Sequence, residues 1–142
     1  ACYWKNDVRY DVSSGVDASV YTMAIDGSDI YLGGSTVSGV NHAGYWKNNT
    51  RIDLETSLNS IVYAIFVFNY DVYAAGWTNN GGTACYWIND SATRVDVATG
   101  TIFTGLFVAD SDVYISGYYE IDEAYASYWK NGNRVDISTG FL

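Results

Sequence analysis

The fold is decided by the stretch Tyr128-Trp129-Lys130-Asn131-Gly132-Asn133-Arg134-Val135-Asp136. Its Tyr-Trp pair occurs three times earlier in the chain, at intervals of 42, 41 and 42 residues, and each pair precedes an Arg-x-Asp triplet. The repeated residues are Trp4, Trp46, Trp87 and Trp129 with Arg9, Arg51, Arg94 and Arg134. A fixed period of this length is the signature of a repeat protein, in which each unit is one supersecondary motif.

A second signature, Asp-x-Tyr, lies between the Tyr-Trp pairs. It begins at Asp29, Asp71 and Asp112, and a glycine closes each copy, which we place at Gly33, Gly76 and Gly117. A continuous apolar run precedes each copy, at 20–25, 61–67 and 102–108, and such runs suit a strand buried on both faces. Each unit therefore predicts four strands, which are the apolar, Asp-x-Tyr, Tyr-Trp and Arg-x-Asp strands.

Turn residues predict how these strands connect. The first two strands of each unit are joined at Asp26-Gly27, Asn69-Tyr70 and Asp110-Ser111. Asn131-Gly132 favours a type I′ hairpin between the last two strands, and earlier units carry Asn6-Asp7 and Asn48-Asn49 there. This register places three of the repeated tryptophans opposite an arginine, which predicts cross-strand cation–π pairs. The pairs are Trp4 with Arg9, Trp46 with Arg51 and Trp129 with Arg134. In the third unit, two extra residues in the turn 90–93 break the register.

Four antiparallel strands per unit, with an apolar inner strand and a charged outer strand, predict an all-β protein of the β-propeller type. The repeats run over about 1–42, 43–83, 84–126 and a partial 127–142, which gives one domain of about three and a half blades. A β-solenoid is disfavoured because its coils are shorter and its strands parallel. A flat open sheet of this size would expose edges that aggregate.

At these motifs the chain resembles bacterial tandem-repeat propellers whose blades carry a Tyr-Trp-Lys-Asn-Gly hairpin and an Asp-Val-Tyr-x-x-Gly strand. The resemblance covers essentially the whole chain and departs from the pattern at Ile88, which stands in place of the lysine. It implies the propeller fold and a secreted or cell-surface protein without a single assigned activity. A shared fold does not by itself define a function.

The array is expected to be incomplete. The chain begins at a Tyr-Trp strand, and Phe141 and Leu142 align with the start of the next apolar strand. Propellers close with about four or more blades. Two explanations remain open, namely further repeats of the same chain or other copies that close or extend the ring. We therefore expect either a homo-oligomer or a longer array.

Composition excludes some partners. The net charge is −9 with only seven Lys and Arg residues, whereas binding to nucleic acid requires clustered cations. No apolar run of about 18 residues is present, so no membrane insertion is expected. Cys2 and Cys85 occupy the same column two units apart, too far for a disulfide within the chain, so we expect small buried thiols, with a disulfide between chains as the alternative.

No enzyme chemistry is predicted. Seryl nucleophile motifs, phosphate-binding loops and paired histidines are missing, so we expect no catalytic residue, no cofactor and no metal. The carboxylates of Arg-x-Asp and Asp-x-Tyr recur in every unit, which indicates a structural role. A residue that every blade repeats rarely belongs to a single active site.

Binding is predicted instead at three long, non-repeating segments, 35–44, 77–84 and 118–127, which we interpret as loops between the second and third strands. Variable loops on a rigid scaffold commonly carry binding sites. Their candidate ligand-binding residues are Trp77, Tyr118, Tyr119, Tyr125 and His42. Exposed aromatic rings can stack on sugar rings or anchor a protein partner. The alternative is that they only cover the rim of the scaffold.

Two functions compete at this point. The leading hypothesis is a non-enzymatic binding or scaffolding module, secreted or on a cell surface, with a glycan or protein ligand at the long-loop face. The alternative is a self-assembling structural subunit, whose incomplete propeller closes or extends through other copies. The first hypothesis requires a ligand site, and the second requires a defined oligomer.

Overall fold

The computed structural model describes residues 1–12, 15–80, 82–120 and 124–137. These residues form fourteen β-strands, and none of them belongs to a helix that could cross a membrane. The strands are β1 (Cys2–Lys5), β2 (Val8–Asp11), β3 (Ala18–Asp26), β4 (Asp29–Ser38), β5 (Val40–Lys47), β6 (Thr50–Asp53), β7 (Ile61–Phe68), β8 (Asp71–Thr78), β9 (Thr83–Ile88), β10 (Asp90–Ala98), β11 (Thr101–Ala109), β12 (Asp112–Glu120), β13 (Ala124–Lys130) and β14 (Asn133–Asp136). The strand start predicted at Phe141 and Leu142 lies outside the described residues.

The strands pair in chain order into antiparallel sheets. Strands β1 and β2 form a hairpin, and three four-stranded sheets follow, β3–β6, β7–β10 and β11–β14. Every pairing joins strands that are consecutive in sequence. The all-β prediction is therefore confirmed.

Successive sheets pack face to face. We call the side of a sheet that is turned toward the next sheet in the chain its forward face, and the opposite side its back face. The back face of β7–β10, including Trp87, shares a core with Tyr31 and Tyr45 on the forward face of β3–β6. The back face of β11–β14, including Trp129, shares a core with the forward face of β7–β10. The protein is thus held together by repeated contacts between neighbouring sheets.

The first strand of each four-stranded sheet carries a β-bulge at the same place. The pairing slips by one residue at Tyr21 in β3, at Tyr63 in β7 and at Thr104 in β11. A glycine on the second strand allows the close approach, because a Cβ on Gly76 would lie 1.9 Å from the carbonyl oxygen of Ile61. The equivalent glycines are Gly34, Gly76 and Gly117. Our placement of the first at Gly33 was wrong by one residue, since Gly33 pairs with Tyr45 instead.

The hairpin turns rely on residues with positive φ. Both central residues have positive φ at Asn69-Tyr70 and Asp110-Ser111, as type I′ turns require. The first inner turn differs from the prediction, because Asp26 pairs with Asp29 and the turn is Gly27-Ser28. Only Gly27 has positive φ there. Tyr70 is the unusual case, with φ of 70° and a side chain that is 91% exposed.

The predicted long loops are mostly strand. Strands β4 and β5 extend through the segment 35–44 and meet at Gly39, whose φ is 79°. Strands β8 and β9 extend to Thr78 and Thr83, and β12 and β13 extend to Glu120 and Ala124. The loop interpretation was wrong because irregular repeats conceal continued strand pairing, which needs only backbone groups. The candidate binding residues therefore lie on strands.

The three apolar strands are not equally buried. Strand β7 lies between two sheets and is buried or half-buried along its length, as predicted. Strand β3 exposes Met23 and Ile25, and β11 exposes Ile102 and Phe107. The prediction of burial on both faces fails for β3 and β11 because, among the strands that the structure describes, β7 alone of the three has a complete sheet on each side.

The Trp–Arg register is confirmed at Trp4, Trp46 and Trp129. Stacking follows in one case, where the Arg51 guanidinium lies 4.5 Å from the Trp46 ring centroid. Arg134 instead lies 4.3 Å from the ring of Tyr119, which is on the same face of the sheet as Trp129. In these other two cases the predicted cation–π contact is wrong, because Arg9 lies 2.6 Å from Asp11 without stacking on Trp4, and Arg134 lies on Tyr119 and not on Trp129. The register break in the third unit is confirmed between Asp90 and Val95.

The tryptophan column provides a matched test of packing. Trp46 is 2% exposed and Trp4 is 64% exposed, although both occupy the same position of the repeat. Trp46→Ala is expected to lower the free energy of unfolding by about 3–5 kcal/mol, as for other buried aromatics. Trp4→Ala should cost less than about 1 kcal/mol. Urea unfolding of both variants measures this, and equal losses would contradict the packing described.

Strain at Tyr70 provides a second test. A left-handed conformation costs a side chain with a Cβ about 1–2 kcal/mol relative to glycine. Tyr70→Gly is therefore expected to raise the free energy of unfolding by about 1 kcal/mol, measured by urea or thermal unfolding. Ser28→Gly is the control, since Ser28 occupies the same turn position without a positive φ. A stabilising Ser28→Gly would indicate that the gain is not relief of strain.

Candidate functional site

The bulges create an aromatic cleft. The bulged residues Tyr21, Tyr63 and Thr104 belong to the inner strands of successive sheets, and all three line one cavity of about 410 Å³. The remaining lining residues are Trp77 on β8 and Ile102 and Phe103 on β11. The fold thus brings residues from three sheets to one open surface.

The geometry of the cleft suits a flat ligand. The rings of Tyr21 and Tyr63 lie 5.3 Å apart at 60°, so they form a corner rather than a stack. Phe103 is buried and packs edge-on against Trp129 at 5.2 Å, which fixes it as a rigid floor. Tyr21 and Ile102 remain 50% and 41% exposed. The walls are therefore open to solvent, while the floor is held by the core.

The chemistry of the cleft is apolar and neutral. Its six lining residues include no carboxylate, amine, guanidinium or imidazole. Polar groups are the tyrosine hydroxyls, the indole N–H of Trp77 and the Thr104 hydroxyl, which donates a hydrogen bond to the Ser116 carbonyl at 3.3 Å. Aromatic faces with a few hydroxyls stack on apolar ring surfaces and accept or donate single hydrogen bonds.

The structure separates the five predicted binding residues. Trp77 is half-buried and lines the cleft. Tyr119 pairs across the strands with Tyr125 and packs on the core of the third sheet, beneath Arg134. Tyr118 lies opposite Ala126 on the other face of β12. His42 lies in β5, where its carbonyl accepts a hydrogen bond from Arg51 at 2.8 Å. Of the five, only Trp77 belongs to the cleft.

Sequence reasoning missed Tyr21 and Tyr63. A signal was present, since each is a tyrosine with a polar hydroxyl within an apolar run. Both also occupy the same position of the repeat, immediately before Thr22 and Ala64. A bulge turns such a residue out of the alternation of the strand, which periodicity alone does not reveal.

The repeated Asp residues form a structural clasp. In each four-stranded sheet, an asparagine from the outer hairpin turn donates its side-chain amide to the Asp of Asp-x-Tyr at 2.7–2.8 Å. The same asparagine accepts a hydrogen bond from the backbone amide of the next residue after that Asp. The pairs are Asp29 with Asn48, Asp71 with Asn89 and Asp112 with Asn131. The clasp ties the start of the second strand to the outer hairpin.

Lysines strengthen two of these clasps. Lys47 lies 3.0 Å from Asp29, and Lys130 lies 2.6 Å from Asp112. Hydrogen bonds from Asn48 and Lys47 lower the pKa of Asp29 below its ordinary value. For Asp112, Lys130 is the larger cause and Asn131 the second, and the pKa is again lowered. Asp71 lacks this ion pair because Ile88 replaces the lysine.

The Asp of each Arg-x-Asp triplet pairs with its own arginine. The nitrogen–oxygen distances are 2.6 Å for Arg9–Asp11, 2.8 Å for Arg51–Asp53, 3.0 Å for Arg94–Asp96 and 2.9 Å for Arg134–Asp136. Residues two apart lie on the same side of a strand, which explains the pairing. Arg94 also lies 3.1 Å from Glu55, in the segment that connects β6 to β7.

Neither cysteine forms a disulfide. Cys85 is fully buried, and burial raises the pKa of its thiol far above the ordinary value. Cys2 is half-buried on β1. Within residues 1–12, 15–80, 82–120 and 124–137, no group of three or more His, Cys, Asp or Glu side chains is arranged to hold a metal ion.

No protein-family model matches the chain, and no curated protein matches it at a significant level.

The clasp predicts a specific acid sensitivity. Because the folded state lowers the pKa of Asp29 and Asp112 below 3.8, their contribution to stability is present above that pH. It is lost as the pH falls through the lowered folded values. Asp29→Asn/Asp112→Asn is expected to be less stable than wild type near neutral pH and to lose less stability on acidification. Urea unfolding at about pH 7 and about pH 3 measures the difference.

The matched control is Asp7→Asn/Asp17→Asn. It removes two exposed carboxylates to which the described residues offer no ion pair. The control should keep the acid sensitivity of the wild type. If the clasp variant loses as much stability on acidification as the wild type, the clasp carboxylates do not carry this effect.

Proposed function

We propose that this protein is a non-enzymatic binding module whose ligand site is the aromatic cleft. The observation that carries the proposal is the convergence of Tyr21, Tyr63 and Trp77 around one open cavity with a buried aromatic floor. Large aromatic side chains left at an open surface cost hydrophobic free energy, which a ligand would recover. Binding sites are typically clefts of this size with few polar groups.

The chemistry of the lining favours a neutral ligand with a flat apolar surface, such as a sugar ring of a glycan. The tyrosine hydroxyls supply polar contacts for ring hydroxyls, and the aromatic faces supply stacking. An anionic ligand is disfavoured because the cleft offers no cation and the protein carries a net charge of −9. Catalysis is not part of the proposal, since the lining contains no group suited to acid–base chemistry near neutral pH.

The scaffold that we propose is a β-propeller, with each four-stranded sheet as a blade and the β1–β2 hairpin as the outer half of another. Support comes from the shared strand order and from the face-to-face packing of successive sheets. The recurring bulge near the small residues Thr22, Ala64 and Gly105 suits inner strands that crowd toward an axis. In this arrangement the cleft lies beside the axis. The expectation of a secreted or cell-surface protein belongs to the same proposal.

Self-assembly through other copies is the second candidate function. It is favoured by one observation, the exposure of Trp4, whose three counterparts are at most 2% exposed. This surface is developed in the next subsection.

A panel of neutral oligosaccharides, followed by tryptophan fluorescence and calorimetry, tests the cleft. We expect at least one sugar to bind, and Trp77→Ala to weaken its affinity by about tenfold or more through loss of stacking. Tyr21→Ala should weaken it as well. Tyr70→Ala is the control, because Tyr70 is exposed at a turn and does not line the cleft.

Two outcomes would contradict the site. Affinity that is unchanged in both Trp77→Ala and Tyr21→Ala would place the ligand elsewhere. A preference for sulfated or phosphorylated sugars over neutral ones would contradict the neutral chemistry of the lining.

A further inference from the structure

Neighbouring sheets meet through one repeated contact. The back-face tryptophan of a sheet is buried in a core that contains two tyrosines from the forward face of the sheet before it. Trp87 is 0% exposed with Tyr31 and Tyr45, and Trp129 is 1% exposed in the core of Tyr73 and Tyr86. The contact therefore joins two different surfaces. We call them the tryptophan surface, on the back face, and the tyrosine surface, on the forward face.

A tyrosine surface recurs on the forward face of β11–β14, where no described tryptophan covers it. Tyr114 and Tyr128 occupy the columns of Tyr31 and Tyr45, as their pairing positions show. They line an open cavity of about 380 Å³ together with Phe107, which is 55% exposed. Val135, opposite Tyr128, is 40% exposed, whereas Ile52 in the same column packs on a core.

A tryptophan surface recurs on the β1–β2 hairpin, where no described tyrosine pair covers it. Trp4 is 64% exposed on the back face of the hairpin. The opposite face of the hairpin behaves like an internal one, because Tyr3 packs on the core formed by Val12, Leu32 and Trp46. The hairpin thus contacts the rest of the molecule through Tyr3, while its tryptophan faces solvent.

We propose that this protein associates with copies of itself head to tail, with Trp4 of one copy seated on Tyr114 and Tyr128 of another. The two surfaces belong to the same columns that already pack against each other twice within the chain, so a second copy continues an existing interface. The proposal is independent of ligand binding in the cleft.

A polar contact is available in the same geometry. The hydroxyl of Tyr45 donates a hydrogen bond at 3.0 Å to the carbonyl of Asn89, which follows the Tyr-Trp strand of the next sheet. Tyr128 and Asn6 hold the equivalent positions on the two open surfaces. A hydroxyl of this kind orients the docked strand, while burial of the aromatic rings supplies the attraction.

Such an interface is heterologous, because the two surfaces that meet are different. Heterologous contacts form a closed ring when the rotation closes and an open chain when it does not. With a net charge of −9 on each copy, long-range repulsion opposes association at low salt. Added salt should therefore strengthen this mainly apolar contact.

Sedimentation velocity of wild type and two single-face variants tests the proposal. Trp4→Arg removes the tryptophan surface, and Val135→Arg places a charge on the tyrosine surface. Both side chains are exposed, so circular dichroism should match the wild type, and so should the urea midpoint at protein concentrations too low for the wild type to associate. We expect the wild type to form species larger than a monomer and each variant alone to sediment as a monomer. Tyr70→Arg is the control and should associate like the wild type.

An equimolar mixture of the two variants gives the decisive result. Trp4→Arg keeps the tyrosine surface and Val135→Arg keeps the tryptophan surface. The mixture should therefore form dimers and no larger species. A monomeric wild type, association of either variant alone, or a mixture that stays monomeric would each overturn the proposal. Association that weakens as salt is added would overturn the apolar contact proposed here.

Discussion

Burial of one tryptophan per sheet is the constraint on which the architecture depends. A single four-stranded sheet of this protein has two apolar faces and cannot bury both by itself. The tryptophan on the back face and the tyrosine pair on the forward face solve this problem only when sheets succeed one another. Where a neighbouring sheet is present the tryptophan is essentially inaccessible, and on the lone hairpin it is not. The stability of each sheet is thus shared with its neighbours.

Within a sheet, two further features fix the course of the strands, which the apolar contacts do not determine. The Asp–Asn clasp defines where the second strand begins and holds the outer hairpin beside it. The bulge opposite a bare glycine bends the inner strand and turns one residue out of the sheet. Because the bulge recurs in every sheet, the turned-out residues converge. The cleft is therefore a by-product of the repeat, given its character by Tyr21, Tyr63 and Trp77.

The columns of the repeat made much of this predictable. Strand order, the Trp–Arg register and the register break in the third unit follow from sequence matches at fixed spacing. Predictions failed where the repeat carries no sequence signal for the structure. Strand pairing beyond the motifs uses backbone groups that no residue type marks, so strands were mistaken for loops. Exposure of Met23 and Phe107 depends on which sheets have neighbours, which is a property of position in the stack. The cleft was half predicted, through Trp77 but not through the bulged tyrosines.

The clasp also bears on carbohydrate attachment. Asn48-Asn49-Thr50 and Asn89-Asp90-Ser91 both match the acceptor sequence for N-linked glycosylation. In the folded protein, however, the amide nitrogens of Asn48 and Asn89 are the donors to Asp29 and Asp71. Both asparagines also have positive φ within tight turns. An oligosaccharide on either nitrogen competes with the hydrogen bond that starts a strand. Both asparagines are exposed in the folded chain, so the hydrogen bond, and not burial, is what opposes an oligosaccharide at these two acceptor sites.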